Sequence, residues 1–126
     1  MKKTKILIID DESELVSALT ERLTLRGYDT HGVINFADGL KFLKAIPDVV
    51  ILDIGLPDMD GLEVLKKIKE INNSIQVIML SGYGDDEKVN KSLNYGAFDY
   101  LIKPVDIEEL VSKIESAKLK KEADKW

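Results

Sequence analysis

The sequence predicts an α/β fold, a doubly wound (βα)5 sandwich in which helices cover both faces of a five-stranded parallel sheet. Short β-branched runs alternate with segments whose apolar residues recur at helical spacing. The run at 49–52 contains no polar residue, which is typical of a strand buried on both faces of a parallel sheet. Since crossovers between parallel strands are right-handed, we expect the flavodoxin-like order 2-1-3-4-5, with a crevice at the carboxyl ends of the strands.

The N-terminal part of the chain predicts a strand, a helix and a second strand. The first strand is expected at 6–9. Ser13 is the expected N-cap of the helix, which ends at Gly27 because glycine readily adopts the left-handed conformation. The second strand, at 28–33, is more polar and is therefore placed near an edge of the sheet. The apolar face of the helix consists of Leu15, Ala18, Leu19 and Leu23.

The middle of the chain predicts two helices on either side of the strand at 49–52. Asn35 is the expected N-cap of the second helix, and Pro47 closes the turn after it. Gly61 begins the third helix, which ends at Asn72. The residues spaced for burial are Phe36, Leu40 and Leu43 in the second helix and Leu62, Leu65 and Ile68 in the third.

The last part of the chain predicts two strands and two helices. The strands are expected at 75–80 and 98–102. The helix between them, at about 85–95, has few apolar anchors, mainly Val89 and Leu93, and low local stability is what a movable element requires. The final helix starts near Asp106. Its buried residues are Ile107, Leu110, Val111, Ile114 and Ala117.

Composition restricts the classes of function. The 126 residues are enough for one domain, expected at 1–120, followed by a charged tail at 121–126. The absence of cysteine excludes thiol catalysis and cysteine-ligated metals, and the single histidine, His31, is expected at the surface or edge. A net charge of −5 argues against direct nucleic-acid binding. No apolar run reaches membrane-spanning length, so a cytoplasmic location without membrane contact is expected.

Five polar residues follow the predicted strands at one edge of the sheet. Asp10 and Asp11 follow the first strand, Asp53 the third, Ser81 the fourth and Lys103 the fifth. The first and third strands flank the switch point, where ligands bind in such sheets. Three carboxylates brought within about 4–5 Å repel one another by roughly 3–4 kcal/mol per pair at an effective dielectric constant of 20. A cation or protons must compensate such a cluster.

The chemistry of these residues indicates phosphoryl transfer. Carboxylate oxygens without His or Cys suit Mg²⁺ or Mn²⁺, and Mg²⁺ commonly binds one or two carboxylates together with phosphate oxygens. Asp53 is the candidate nucleophile and would form an aspartyl phosphate. The Lys103 ammonium can pair with one phosphoryl oxygen, and the Ser81 hydroxyl can donate to another.

Four short motifs lie in order at these strand ends and are specific in combination. They are Ile8-Ile9-Asp10-Asp11, Leu52-Asp53 with Gly55-Leu56-Pro57-Asp58-Met59-Asp60-Gly61, Leu80-Ser81-Gly82, and Tyr100-Leu101-Ile102-Lys103-Pro104. With them the chain resembles a response regulator receiver domain (CheY-like) over essentially its whole length. The resemblance implies a two-component phosphorelay, with a sensor histidine kinase as phosphodonor and a downstream effector domain or protein as target.

The resemblance also implies roles for individual residues. Asp53 matches the phosphoacceptor, and Asp11 and Asp53 match direct metal ligands, with Asp10 holding a metal-bound water. The backbone carbonyl of Gly55 matches the third protein ligand. Lys103 matches the phosphate-pairing lysine and is expected to precede a cis proline. Ser81 and Tyr100 match the switch pair. In that pair the hydroxyl moves toward the phosphoryl group and the aromatic ring moves inward.

Two positions depart from the usual family pattern. Gly55 stands where the family usually carries a side chain, and Tyr83 places a bulky ring two residues after Ser81. Both are expected to influence the lifetime of the phosphoryl group. The movable fourth helix, the fifth strand and the last helix are the expected output surface, and a phosphorylation-dependent homodimer through the last helices is compatible with it.

Two alternative functions remain open at this stage. A Mg²⁺-dependent phosphatase would also pass through an aspartyl phosphate, but such enzymes of the haloacid-dehalogenase type typically carry a second Asp at the position of Gly55. A receiver-like interaction module that is never phosphorylated is the other alternative. The intact Asp10–Asp11 pair, Asp53 and Lys103 argue against it.

Overall fold

The computed structural model describes residues 2–125 and contains one parallel sheet with helices on both faces. The strands are β1 Lys5–Ile9, β2 Asp29–Val33, β3 Val49–Asp53, β4 Gln76–Ser81 and β5 Asp99–Ile102. The helices are α1 Ser13–Leu25, α2 Phe36–Leu43, α3 Gly61–Ile71, α4 Asp86–Asn94 and α5 Ile107–Ala123. The order β2-β1-β3-β4-β5 is the predicted one, and the polar strand β2 is at an edge.

Alternate residues of the three central strands enter two separate cores. Leu7, Val50 and Val77 point to the side covered by α2, α3 and α4. Ile6 and Val49, each one residue earlier along its strand, point to the side covered by α1 and α5. Because both sides of the sheet are buried, each strand reads as a continuous apolar run, and this is why the sequence pattern identified the strands.

The predicted helices are present, but their buried faces are shifted in several places. Val64 is buried instead of Leu62 in α3, and Val16 instead of Ala18 in α1. In α2 the buried stripe runs through Gly39, whose missing side chain lets the helix approach Ile9, so the flanking Leu40 is left exposed. In α4 the stripe runs through Val89 and Ser92 and leaves Leu93 exposed.

The helix ends correct one prediction and confirm two. Ser13 is not the N-cap of α1; it is the first helical residue, and Glu12 occupies the N-cap position without a side-chain capping bond. Asn35 caps α2 by accepting a hydrogen bond from the Asp38 N–H at 2.8 Å. Gly27 ends α1 with φ of +93°, where its lack of a side chain avoids strain.

The C-terminal helix α5 extends beyond residue 120, the predicted end of the domain. It continues to Ala123, and Lys121 is anchored to Asp48 across the domain by an ion pair of 2.6 Å. Trp126, the last residue of the predicted tail, lies outside the described residues. Within residues 2–125, every helix is too short or too polar to cross a bilayer.

Candidate functional site

Three carboxylates meet at the carboxyl ends of β1 and β3, as predicted. Ile9 pairs with Leu52 in the sheet, so the residues that follow them, Asp10 and Asp53, emerge side by side. One carboxylate oxygen from each of Asp10, Asp11 and Asp53 lies within 4.8 Å of the others. Asp10 is fully buried and Asp53 is 6% exposed, whereas Asp11 faces solvent.

Backbone N–H groups orient the two buried carboxylates. Asp53 Oδ1 accepts a hydrogen bond from Gly55 N–H at 3.0 Å, and Asp10 Oδ1 accepts one from Glu12 N–H at 2.8 Å. Both donors belong to loops that begin where their strands end. Each carboxylate therefore keeps a second oxygen, Oδ2, available for the centre of the cluster.

Lys103 supplies positive charge to this cluster from the end of β5. Its Nζ lies 2.9 Å from Asp10 Oδ2, 3.6 Å from Asp53 Oδ2 and 2.7 Å from Glu12 Oε1. Its backbone N–H donates to Ser81 O at 2.8 Å, and its bond to Pro104 is cis, as expected. Burial lowers the pKa of Lys103, but contacts with Glu12 and Asp10 outweigh it and raise the pKa well above its usual range.

The pKa of Asp53 is raised above its usual value. Burial is the largest cause, and the neighbouring Asp10 and Asp11 carboxylates add to it. The Gly55 N–H and the Lys103 ammonium act in the opposite direction without cancelling the rise. The negative charge on Asp53 is therefore incompletely compensated by the protein alone.

The donor set fits a hard divalent cation. Its oxygens come from carboxylates, which is the ligand chemistry of Mg²⁺ and Mn²⁺. Asp10 Oδ2 is buried and forms an ion pair with Lys103 without the alignment of a hydrogen bond, so it has capacity for another partner. Gly55 is exposed beside the cluster, and a Cβ at that position would meet only Asp53 Oδ1, at 3.8 Å.

Ser81 and Tyr100 lie on the neighbouring strands β4 and β5 and line one cavity. Ser81 is 1% exposed, and its hydroxyl donates a long hydrogen bond, 3.4 Å, to Leu101 O. The half-buried Tyr100 lines a cavity of about 530 Å³ together with Ser81 and Val89 of α4. The Tyr83 side chain is fully exposed.

The sequence interpretation missed two contacts at this edge. Glu12 is the closest carboxylate to Lys103, and its only sequence signal is its place directly after Asp10 and Asp11. Asp85, the N-cap residue of α4, makes no side-chain capping bond, and its carboxylate accepts instead from Gly82 N–H at 2.8 Å. Asp60 caps α3 through Leu62 N–H, in agreement with a role in the turn.

His31 lies apart from the site, as expected. It is on the edge strand β2, stacks on the Phe42 ring with 4.7 Å between centroids, and lies 3.4 Å from Asp29. Its surroundings are those of an edge residue.

Residues 6–115 match the sequence model of the response regulator receiver domain. The chain belongs to this family. It is a receiver domain, a phosphorylation-based signalling switch of two-component systems, and not an enzyme of the ordinary metabolic kind. The family resemblance read from the four motifs and the flavodoxin-like fold read from the alternating pattern are both confirmed.

Known receiver domains resemble this one in sequence and in structure. It is 38% identical over 111 residues to sporulation initiation phosphotransferase F of Bacillus subtilis, covering 87% of this chain and 90% of that protein. It is 39% identical over 107 residues to regulatory protein AtoC of Escherichia coli, covering 84% of this chain but 23% of that protein. The crystal structure of a receiver domain from Clostridium thermocellum superimposes with a TM-score of 0.90 at 33% identity, covering 95% of this chain and 98% of that one.

Proposed function

We propose that Asp53 is the phosphoacceptor of this receiver domain. The observation that carries the proposal is the convergence of Asp10, Asp11 and Asp53 on one point, with Lys103 as the facing cation. A carboxylate oxygen of Asp53 attacks phosphorus, the bond from phosphorus to the donor's leaving group breaks, and the leaving group takes up a proton. The product is an acyl phosphate on Asp53.

The same residues would hold Mg²⁺ or Mn²⁺. The proposed ligands are Asp11, Asp53 and the backbone carbonyl of Gly55, with Asp10 acting through a bound water. The cation supplies compensation for the charge that develops on the phosphoryl oxygens. Lys103 pairs with one of these oxygens and the Ser81 hydroxyl donates to another, because both groups already lie at the strand ends beside Asp53.

The switch would run from Ser81 to Tyr100 and α4. Movement of the Ser81 hydroxyl toward the phosphoryl group breaks its hydrogen bond to Leu101 O and opens space into which the Tyr100 ring can move. We propose the surface formed by α4, β5 and α5 as the output surface. A sensor histidine kinase is the proposed donor, and an effector domain or protein, or a second phosphorylated copy, is the proposed target.

We also assign residues 1–120 to the receiver unit and 121–126 to a C-terminal extension, which begins within α5. Support comes from the family match, which ends at residue 115, and from the last turns of α5, which follow it.

Intact-mass measurement after incubation with Mg²⁺ and acetyl phosphate tests the proposal. We expect a labile gain of one phosphoryl group, which is lost in Asp53→Asn and in excess EDTA. Asp58→Asn is the matched control, because Asp58 is an exposed carboxylate of the same loop and should leave labelling unchanged. Labelling that survives Asp53→Asn, or no labelling with any phosphodonor, would contradict the proposal; rapid turnover of many phosphate esters would favour a phosphatase.

A further inference from the structure

Glu12 occupies the N-cap position of a helix, but its side chain makes no capping hydrogen bond. It is the N-cap residue of α1, a position that favours Ser, Thr, Asp or Asn because short side chains reach back to the first helical N–H groups. The Glu12 carboxylate makes no such bond. It reaches instead to Lys103, which is 91 residues away in the sequence.

Lys103 is unequally shared among the carboxylates around it. Its Nζ is 2.7 Å from Glu12 Oε1 and 2.9 Å from Asp10 Oδ2, but 3.6 Å from Asp53 Oδ2. Glu12 is thus the nearest partner of the lysine, although it does not belong to the cluster of three converging carboxylates. The Glu12 side chain is 59% exposed and that of Lys103 is 19% exposed, so the pair lies at the rim of the site.

We propose that Glu12 is a positioning residue that holds the Lys103 ammonium back from Asp53 and so keeps the acidic cluster open to a divalent cation. This inference rests on the proposed metal site. An ammonium ion and a divalent cation compete for the same Asp10 and Asp53 oxygens. A lysine tied to Glu12 competes less effectively, and it remains close enough to pair with a phosphoryl group on Asp53.

Removal of the Glu12 carboxylate should therefore weaken the binding of a divalent cation, because it frees Lys103 to compete for the same oxygens. The released ammonium, which already contacts Asp10 Oδ2 at 2.9 Å, would move closer to Asp53, where burial strengthens an ion pair. The loss of one negative charge near the site acts in the same direction, so the experiment must separate tethering from charge. Glu12→Asp retains the charge but shortens the side chain by one methylene, which is too short to preserve the 2.7 Å contact.

Manganese binding, measured as free Mn²⁺ by electron paramagnetic resonance, tests the inference without any phosphodonor. We expect both Glu12→Gln and Glu12→Asp to bind Mn²⁺ about threefold to fivefold more weakly than the parent, the size of effect that a rim ion pair supports. Glu14→Gln is the matched charge control, because Glu14 is exposed in the first turn of α1. It should change the affinity by less than about twofold.

A second set of variants asks whether Glu12 acts through Lys103. In a Lys103→Met background, Glu12→Gln should change Mn²⁺ affinity no more than Glu14→Gln does. An equal weakening with and without the lysine, or a Glu12→Asp variant that binds like the parent, would show a simple charge effect and overturn the inference. Unchanged or tighter binding by Glu12→Gln would also overturn it.

The two proposals can fail separately. A parent protein that binds no Mn²⁺ would remove the metal site itself and, with it, any role for Glu12 there. A parent that binds Mn²⁺ and loses it in Asp53→Asn, but not in the Glu12 variants, would leave the metal site in place and remove only the tether. Thermal unfolding of each variant checks folding, which we expect to be retained because Glu12 is on the surface.

Discussion

At the scale of single residues, the central carboxylate of the site, Asp53, does not favour the folded state when it is ionised. Asp53 is buried next to two other acids, and its pKa is raised because burial and those charges disfavour its ionised form. Among residues 2–125, Lys103 is the cation that forms an ion pair with Asp53, and it is shared with Glu12. The fold thus retains an incompletely compensated carboxylate at the position where the proposed chemistry needs a nucleophile and a metal ligand.

Asp53→Asn should therefore stabilise the protein in EDTA at neutral pH. We expect a gain of about 1 kcal/mol in the free energy of unfolding, or roughly 3–5 °C in Tm for a chain of this size. The pKa of Asp53 is higher in the folded protein than its ordinary value of 3.8. The parent therefore loses stability as the pH rises from 3.8 through the raised pKa. The asparagine of the variant does not titrate, so the variant does not lose this stability. The difference should accordingly vanish at lower pH.

Thermal unfolding of both proteins across the acidic range measures this difference. Asp58→Asn serves as the comparison, since Asp58 is exposed and its replacement should leave Tm nearly unchanged at each pH. A neutral-pH Tm of Asp53→Asn below that of the parent would show that the carboxylate contributes net stability.

At the scale of elements, the loop between β3 and α3 depends on one glycine and tolerates change at another. A Cβ on Gly61, the first residue of α3, would lie 2.6 Å from Ile54 O and 2.7 Å from Ile54 Cα. The helix therefore starts against the backbone that follows Asp53. At Gly55, in the same loop, a Cβ would meet only Asp53 Oδ1, at an ordinary contact distance of 3.8 Å.

Alanine substitution at these two glycines should have very unequal effects on stability. Gly61→Ala should cost about 2–3 kcal/mol, because backbone atoms cannot move aside as a flexible side chain can. Gly55→Ala should change the free energy of unfolding by less than about 0.5 kcal/mol. Urea unfolding of both variants provides the comparison, and equal effects would mean that the helix start can shift freely.

At the scale of the whole molecule, one helix is held less firmly than the others. Helix α4 buries only Val89 and Ser92, and it borders the cavity of about 530 Å³ next to Tyr100. Helix α3, on the same face of the sheet, buries four residues, including Leu65 and Ile68. Few buried apolar contacts give a low free energy of local opening, so α4 is the element that the site can bias most easily.

Hydrogen exchange followed by mass spectrometry should show this difference. We expect backbone amides of α4, Asp86–Asn94, to exchange at least about tenfold faster than those of α3, Gly61–Ile71, before any phosphorylation. Incubation with Mg²⁺ and acetyl phosphate should then change exchange in α4 and β5 more than in α3. Equal protection of the two helices would contradict α4 as the movable element.

Strand order, the strand cores and the acidic cluster followed from the sequence, because each depends on local pattern and topology. An apolar run buried on both sides identifies a parallel strand, and parallel strands bring the residues after their carboxyl ends to one edge. Asp10, Asp53, Ser81 and Lys103 were placed correctly by that argument alone. The N-cap of α2, Asn35, and the end of α1 at Gly27 also depend only on neighbouring residues, and the sequence predicted both.

Only the tertiary structure decided which helical face is buried and where long side chains reach. Gly39 and Ser92 enter the buried stripes of their helices because the sheet approaches closely there, and this displaces Leu40 and Leu93 to the surface. Glu12 appeared to be one more acid in a loop until β5 brought Lys103 to within 2.7 Å of it. Contacts between residues 91 positions apart depend on packing of the whole sheet, and no local pattern contains that information.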